Sequence, residues 1–211
     1  MGLVYRFSLV VARLLFWALG SLEVHDREKV PLKGSLILTP NHLSYLDPPL
    51  VGVSLPRYCF TMAKDYLFKS PLMAWWITRL NVFPVKEHGV DRAALKRAFE
   101  VLKAGEVLVL FPEGTRSRTG DLGALQPGAA TIALRTGAPI QPLLIYGTNH
   151  VLPRDAKLPR RAKIRTLFGD PIDPAPFQAM DSREEATAAL TQALDAALRE
   201  LREEHRRRWG E

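Results

Sequence analysis

Residues 106–117 read EVLVLFPEGTRS, an apolar run that ends at a proline and continues into a turn containing a glycine. Gly105 and Pro112 bound the apolar run, and its short length favours a strand over a helix. An apolar strand without polar alternation is typical of a sheet that is covered on both faces. We therefore predict a buried strand at 106–111, with the residues that follow it at one end of the sheet.

The rest of the chain alternates between strand-like and helix-like patterns. Short apolar runs predict further strands at residues 35–39, 58–62, 81–85, 140–146 and 163–168. Amphipathic spacing predicts helices at residues 91–103, 127–135 and 182–207. The alternation indicates a single α/β domain in which helices flank both faces of a mixed, largely parallel central sheet.

The first 22 residues are apolar apart from two arginines and two serines. Their longest charge-free run is far shorter than the ~20 residues that cross a bilayer. A helix here would have one continuous apolar side, formed by Leu3, Phe7, Val10, Leu14 and Trp17. This pattern favours a helix lying in the plane of a membrane surface. The alternatives are an ordinary core helix and a signal peptide. Arg13 argues against the signal peptide because it interrupts the apolar region.

These observations divide the chain into a membrane-associating helical segment at residues 1–24 and a main domain at residues 25–211. The single cysteine, Cys59, excludes an intramolecular disulfide and favours a reducing compartment. We therefore expect peripheral or monotopic attachment at the cytoplasmic face of the cell membrane.

The chain is basic, with 29 Lys and Arg against 22 Asp and Glu and a net charge of +7. Such a surface suits anionic partners: nucleic acid, phosphorylated metabolites or lipid headgroups. Walker, Rossmann and paired-cysteine zinc motifs are absent from the sequence. The helix predicted at 91–103 also lacks the interleaved aromatic residues of single-strand binders, so nucleic acid is not expected as a partner.

Residues 41–48 read NHLSYLDP and place a histidine five positions before an aspartate. On a helix these two side chains would point apart, so His42 and Asp47 meet only if the segment is a loop. Pro48 favours a helix start, which makes Asp47 a predicted N-cap. The carboxylate has acceptor sites enough to bind the His42 imidazole as well. The imidazole then acts as a general base with no protein nucleophile beside it. The substrate must therefore supply its own alcohol. A plain cap beside a plain loop histidine is the alternative.

Three predicted strands each deliver a cation at or just beyond the strand end. Arg116 follows the strand at 106–111, Lys86 follows the strand at 81–85 and Lys64 follows the strand at 58–62. Because ligands of α/β folds bind at strand ends, these side chains are predicted to converge on one phosphate dianion. Each of them, taken singly, is also compatible with a surface charge.

Four blocks in chain order resemble the glycerolipid acyltransferase family, the 1-acylglycerol-3-phosphate acyltransferases. The first family block, Asn-His-x-Ser-x-x-Asp, matches residues 41–47, and the block Phe-Pro-Glu-Gly-Thr-Arg-Ser matches residues 111–117 without a change. NVFPVK at 81–86 fits the family block that ends in a basic residue, and APIQPLLIY at 138–146 fits the proline-containing strand. The resemblance makes residues 25–211 an acyltransferase domain.

The resemblance implies a role for each matching residue. His42 would be the general base and Asp47 its orienting partner. The phosphate of an anionic lysophospholipid would be bound by a larger set, namely Lys64, Lys86, Glu113, Gly114, Thr115 and Arg116. The reaction implied is attack of the sn-2 hydroxyl of lysophosphatidic acid on an acyl thioester of coenzyme A or acyl carrier protein. Neither a metal nor a redox cofactor is expected, because this transfer needs mainly positioning and proton transfer.

Two positions depart from the family pattern. Lys86 stands where arginine is common, and Gln126 stands where a lysine often precedes the next helix. Either residue could mark another acceptor, such as glycerol 3-phosphate or a lyso-aminolipid. A thioester hydrolase is a less favoured reading because the chain lacks a Gly-x-Ser-x-Gly elbow. A non-catalytic module that binds lipid or nucleic acid is the remaining alternative.

Overall fold

A twisted sheet forms the centre of the protein. The computed structural model describes residues 2–86, 89, 91–153, 156 and 158–210. Within these residues the sheet has seven strands: β1 (Leu22–His25), β2 (Leu36–Pro40), β3 (Cys59–Lys64), β4 (Val82–Val85), β5 (Val107–Val109), β6 (Ile140–Tyr146) and β7 (Ile164–Phe168). Six of them match the predicted strands to within a few residues, whereas β1 was not predicted.

The strand directions decide where side chains can meet. The spatial order is β1-β7-β6-β2-β5-β3-β4. Strands β6, β2, β5, β3 and β4 all run parallel, whereas β7 runs antiparallel to β6 and β1 runs parallel to β7. The predicted mixed, largely parallel sheet is thus confirmed. The carboxyl ends of five strands share one edge, where α/β proteins bind their ligands.

Helices cover both faces of the sheet, as predicted. They are α1 (Leu3–Leu19), α2 (Asp47–Ser54), α3 (Pro71–Arg79), α4 (Arg92–Lys103), α5 (Gly128–Thr136), α6 (Thr148–Val151), α7 (Ala175–Gln178) and α8 (Arg183–Trp209). Alternate residues of β2 enter different cores, because successive strand residues point to opposite faces. Leu36 and Leu38 pack on the side of α1 and α2, and Ile37 packs on the side of α4, α5 and α8.

The N-terminal helix lies against the domain along one side only. Tyr5 and Phe16 of α1 are buried, and Phe16 belongs to the core beneath α2. Its opposite side is exposed and includes the whole predicted apolar stripe, Leu3, Phe7, Val10, Leu14 and Trp17. Among the described residues, none of the helices has the length and hydropathy needed to cross a membrane.

Strand β1 follows α1 after two residues and pairs with β7 from Leu22 to His25. The division at residue 24 therefore falls inside a strand of the sheet. Sequence patterns missed β1 because its four residues, LEVH, are short and only half-buried at the sheet edge.

Candidate active site

His42 and Asp47 meet in the loop between β2 and α2, as the spacing predicted. The imidazole Nδ1 lies 2.8 Å from Asp47 Oδ2. The Asp47 side chain is fully buried, whereas the His42 side chain keeps 17% of its surface exposed. Since Nδ1–H donates to the carboxylate, Nε2 carries the free lone pair of the neutral ring. The pair therefore has the geometry of a base with an orienting partner.

The Asp47 carboxylate accepts four hydrogen bonds in all. Besides the imidazole, Oδ2 accepts from the backbone N–H groups of Leu43 at 2.6 Å and Ser44 at 2.7 Å. Oδ1 accepts from the Thr148 hydroxyl at 2.6 Å. Four donors therefore hold this buried carboxylate in one position beside the imidazole.

The predicted N-cap role of Asp47 is wrong in its detail. Asp47 is the first residue of α2, Leu46 precedes it at the cap position, and no side chain caps this helix end. The carboxylate points back to the loop before the helix because Leu43 and Ser44 present their N–H groups there. Thr148, at the start of α6, was not predicted as part of the site.

Asn41 ties the same loop to β6. Its side-chain oxygen accepts from the Ile145 N–H at 2.6 Å, and its side-chain nitrogen donates to the Ile145 carbonyl at 3.0 Å. The amide thus continues the pairing of β2 with β6 beyond Pro40, the last paired residue of β2. Asn41 therefore fixes the point at which the chain leaves the sheet and the loop that contains His42 begins.

Glu113 links the turn after β5 to the histidine loop. Its Oε1 accepts from the His42 backbone N–H at 2.9 Å, and its Oε2 accepts from the Gly123 N–H at 2.9 Å. The Ser117 N–H returns a 2.7 Å bond to the His42 carbonyl. Only 8% of Glu113 is exposed. The two sequence blocks therefore form one hydrogen-bonded unit around His42.

The turn itself follows from its residues. Gly114 has φ of 68°, a conformation that costs other residues free energy, and its N–H donates to the Phe111 carbonyl. The Phe111 ring packs on the imidazole with centroids 4.2 Å apart. Thr115 is exposed on this turn beside Arg116. The substrate-binding roles implied for Glu113, Gly114 and Thr115 stay predictions.

Arg116 and Lys64 both lie near Tyr66. The Arg116 guanidinium carbon lies 3.6 Å from the centroid of the Tyr45 ring. Burial raises the pKa of the Tyr66 hydroxyl, and the neighbouring Tyr45 hydroxyl raises it further. The positive charges of Lys64 and Arg116 are close enough to Tyr66 to oppose that rise in pKa. Both cations therefore lie near Tyr66, and Arg116 also contacts Tyr45, three residues after His42.

Lys86, the third cation, follows β4 and has an exposed side chain. Val85 pairs with Lys64 in the sheet, so Lys86 lies one residue beyond the level of Lys64. The Lys86 backbone N–H donates to Asp91 at 3.0 Å. Backbone hydrogen bonds from Ala94 and then Lys86 lower the pKa of the Asp91 carboxyl. The carboxylate that caps α4 therefore also fixes the backbone at Lys86.

A search for metal ligands in the described part of the chain finds no cluster of three or more His, Cys, Asp or Glu side chains able to hold an ion.

Comparison with known proteins agrees with this geometry. The profile of a protein family described as Acyltransferase matches residues 21–146, which contain every side chain of the site except Thr148. The chain belongs to this acyltransferase family. The resemblance inferred from the four sequence blocks is thereby confirmed.

Several members of the acyltransferase family are similar over most of this chain. The 1-acyl-sn-glycerol-3-phosphate acyltransferase of Bacillus subtilis is 29% identical over 198 residues, which cover 93% of this chain and 96% of that protein. A chloroplastic protein of the same name from Arabidopsis thaliana is 28% identical and matches 90% of this chain, which spans 55% of that protein.

A solved structure is also similar. The 1-acyl-sn-glycerophosphate acyltransferase of Thermotoga maritima has a TM-score of 0.76 and 29% identity, and the match covers 94% of this chain and 79% of that one. The acyltransferase fold therefore extends beyond the residues that the family profile matches.

Proposed function

We propose that this protein transfers a fatty acyl group from an acyl thioester to the sn-2 hydroxyl of 1-acylglycerol 3-phosphate, giving phosphatidic acid. The observation that carries the proposal is the His42–Asp47 pair, 2.8 Å apart, at the sheet edge where Arg116 and Lys64 also lie. The relatives named above as 1-acylglycerol-phosphate acyltransferases support this choice of acceptor.

The reaction needs one proton to move twice. Nε2 of His42 takes the proton of the sn-2 hydroxyl as its oxygen attacks the thioester carbonyl carbon. The tetrahedral intermediate collapses by breaking the carbon–sulfur bond, and the imidazolium returns the proton to the leaving thiolate. Asp47 stabilises the imidazolium between these steps. Cys59 is buried in β3, so it is not suited to act as a nucleophile in this step.

The acceptor phosphate lies, in this proposal, against Arg116, Lys64 and Lys86. Arg116 offers a planar fork whose orientation is restricted by the Tyr45 ring. The lysines add point charges from β3 and β4. Glu113 contributes indirectly, because both its oxygens are bound to backbone N–H groups and a carboxylate repels phosphate. Thr115 lies on the same turn as Arg116, where its hydroxyl is able to donate to the phosphate.

Purified protein tests the proposal directly. We expect labelled acyl-coenzyme A or acyl carrier protein to yield phosphatidic acid with lysophosphatidic acid, and His42→Ala to lower the rate by at least about a thousandfold. His25→Ala is the control, because His25 lies on β1 at the far end of the sheet. Full activity in His42→Ala would refute the mechanism.

Competing acceptors separate the alternatives. Preferred acylation of glycerol 3-phosphate or of a lyso-aminolipid would replace the proposed acceptor. Equal loss of thioester with and without acceptor would indicate a hydrolase.

We further propose that the exposed sides of α1 and α3 rest on a membrane surface. Besides the α1 stripe, α3 exposes Leu72, Met73, Trp75 and Trp76. The two helices are joined by a 3.2 Å hydrogen bond from Trp76 Nε1 to Ser8. A continuous apolar area of this kind on a protein surface is typical of a contact with lipid or another protein, and Trp suits the bilayer interface.

Vesicle sedimentation tests this contact. We expect Phe7→Ser combined with Trp17→Ser to weaken binding to phosphatidylglycerol vesicles at least tenfold, since each side chain contributes about 1.5–3 kcal/mol when buried in lipid. Leu32→Ser is the control, because Leu32 is 71% exposed and lies outside α1 and α3. Unchanged binding of the double variant would exclude the proposed surface.

A further inference from the structure

A cavity of about 230 Å³ lies at the carboxyl end of β6, between that strand, the turn at 119–120 and α8. Its apolar lining comes from Leu43, Leu144 and Ile145. The space equals roughly seven water molecules at ~30 Å³ each, so it suits a slender chain rather than a whole nucleotide.

The polar part of the lining is basic. His150, Arg202 and Arg206 contribute to it, and none of the described residues that line the cavity is acidic. Arg202 is held in place because it donates to the Gly120 carbonyl at 2.9 Å and to Asp121 at 2.7 Å. His150 and Arg206 are exposed at the rim, and the Arg206 guanidinium donates to the Glu203 carboxylate at 2.5 Å. Asn149 and Thr119 add neutral hydrogen-bonding groups.

The cavity lies at β6, on the other side of β2 from β5, and the turn at 119–120 that follows β5 also lines it. His42 follows β2, which is paired with β5 on one side and with β6 on the other. Arg116 and Lys64 extend from the β5 side, whereas the cavity is at β6, one strand spacing of about 4.8 Å from β2. Leu43 directly follows His42, and Asn149 directly follows Thr148.

We propose that this cavity binds the phosphopantetheine arm of the acyl donor, with the phosphate of the arm at Arg206 and His150. The inference rests on the proposed function. The acceptor hydroxyl and the donor thioester must meet at Nε2 of His42, and in the proposed function the acceptor phosphate lies on the Arg116 side. The arm combines a dimethyl group, two amides and a phosphate, which match the apolar lining, the polar groups and the basic rim. Coenzyme A and acyl carrier protein share this arm.

Charge reversal at the rim tests the assignment. We expect Arg206→Glu to raise the KM for palmitoyl-coenzyme A about tenfold and to leave kcat and the KM for lysophosphatidic acid within twofold. Arg207→Glu is the matched control, because Arg207 is the next exposed residue of α8 but does not line the cavity. Equal effects of the two variants on the donor KM, or an equal rise in the acceptor KM, would overturn the proposal.

Donors of different chemistry identify the group that binds. Palmitoyl-pantetheine lacks the phosphate, so its KM is expected to be the same for the wild-type protein and Arg206→Glu. A rise in KM for both palmitoyl-coenzyme A and palmitoyl carrier protein supports the shared phosphate. A rise for the coenzyme A donor alone would place its nucleotide at the rim and overturn the assignment to the arm.

Direct binding separates this inference from the proposed function. Titration calorimetry with 4′-phosphopantetheine, in the absence of any acceptor, should give binding that Arg206→Glu weakens about tenfold and Arg207→Glu leaves unchanged. If 4′-phosphopantetheine binds but lysophosphatidic acid is not acylated, the proposed acceptor is wrong and the assignment of the cavity stands. If lysophosphatidic acid is acylated but Arg206→Glu binds 4′-phosphopantetheine as well as the wild type does, the assignment of the cavity is wrong and the proposed acceptor stands.

Discussion

The Thr148 hydroxyl donates a 2.6 Å hydrogen bond to Oδ1 of Asp47, although 101 residues separate them in the chain. Both side chains are fully buried. The bond joins the start of α6 to the carboxylate that holds the His42 ring, so the orientation of the base depends on β6 as well as on its own loop.

Replacing Thr148 by valine is expected to lower kcat about tenfold at unchanged KM for both substrates. Valine keeps the shape but removes a hydrogen bond to a charged group, which contributes about 1.5–3 kcal/mol. Thr148→Ser should restore most of the rate. Steady-state kinetics on variants that melt cooperatively check this, and a changed KM with a normal kcat would contradict it.

The contact between Tyr45 and Arg116 should affect acceptor binding. Tyr45→Leu is expected to raise the KM for lysophosphatidic acid about three- to tenfold, because a cation–π contact contributes about 0.5–2 kcal/mol and restricts the guanidinium. Tyr45→Phe retains the ring and should stay within twofold of the wild type. If the phenylalanine variant loses as much affinity as the leucine variant, the Tyr45 hydroxyl is the important group instead.

Glu113→Gln distinguishes a structural role from a substrate-binding role. Glutamine has one acceptor oxygen, so one of the two N–H groups, that of His42 or that of Gly123, would face an NH₂ group. We expect kcat to fall at least tenfold and the free energy of unfolding to fall by about 1–3 kcal/mol, with the acceptor KM little changed. A raised acceptor KM at full stability would instead support direct contact with substrate.

Cys59 should make the protein less stable at alkaline pH. Burial raises the pKa of its thiol to about 11 from 9.0. The folded state therefore holds its proton longer than the unfolded state does. The resulting stability is complete below pH 9 and is lost as the pH rises to 11, by about 2–3 kcal/mol. Urea unfolding of wild type and Cys59→Ala between pH 8 and 11 checks this. Parallel curves for the two proteins would contradict it.

Gly147, immediately before Thr148, should not tolerate a side chain. Its φ is 87°, and an added Cβ would lie 1.9 Å from the Lys163 carbonyl oxygen. Gly147→Ala is expected to reduce the free energy of unfolding by at least about 2 kcal/mol. Gly128→Ala, at the first residue of α5 with open space around it, should be neutral or slightly stabilising. Equal melting temperatures for the two variants would disprove the clash.

The residues that sequence could place are those whose geometry is local. His42 and Asp47 lie five positions apart in a segment between two prolines, so chain stiffness and spacing were enough to predict their contact. The parallel strands followed from uninterrupted apolar runs, and their common edge placed Arg116 and Lys64 near each other.

The residues that sequence missed depend on contacts between distant segments. Nothing in the sequence distinguishes Thr148 from the other threonines, and only the pairing of β6 with β2 brings it to the site. The two backbone bonds of Glu113 likewise require the turn after β5 to fold over the histidine loop. Neither arrangement leaves a periodic signal in the chain, because each is set by the tertiary packing of the sheet.

The anchoring of α1 also fixes the distance between the active site and a membrane that α1 contacts. Tyr5 reaches Cys59 on β3, and Phe16 is inserted beneath α2, the helix that Asp47 begins. A bilayer bound to the outer side of α1 would therefore hold the imidazole at one constant elevation above the lipid plane. The glycerol of a lysolipid would reach the His42 imidazole only when its acyl tail rises out of the bilayer by the same distance. This distance would therefore measure the length of the acyl chain.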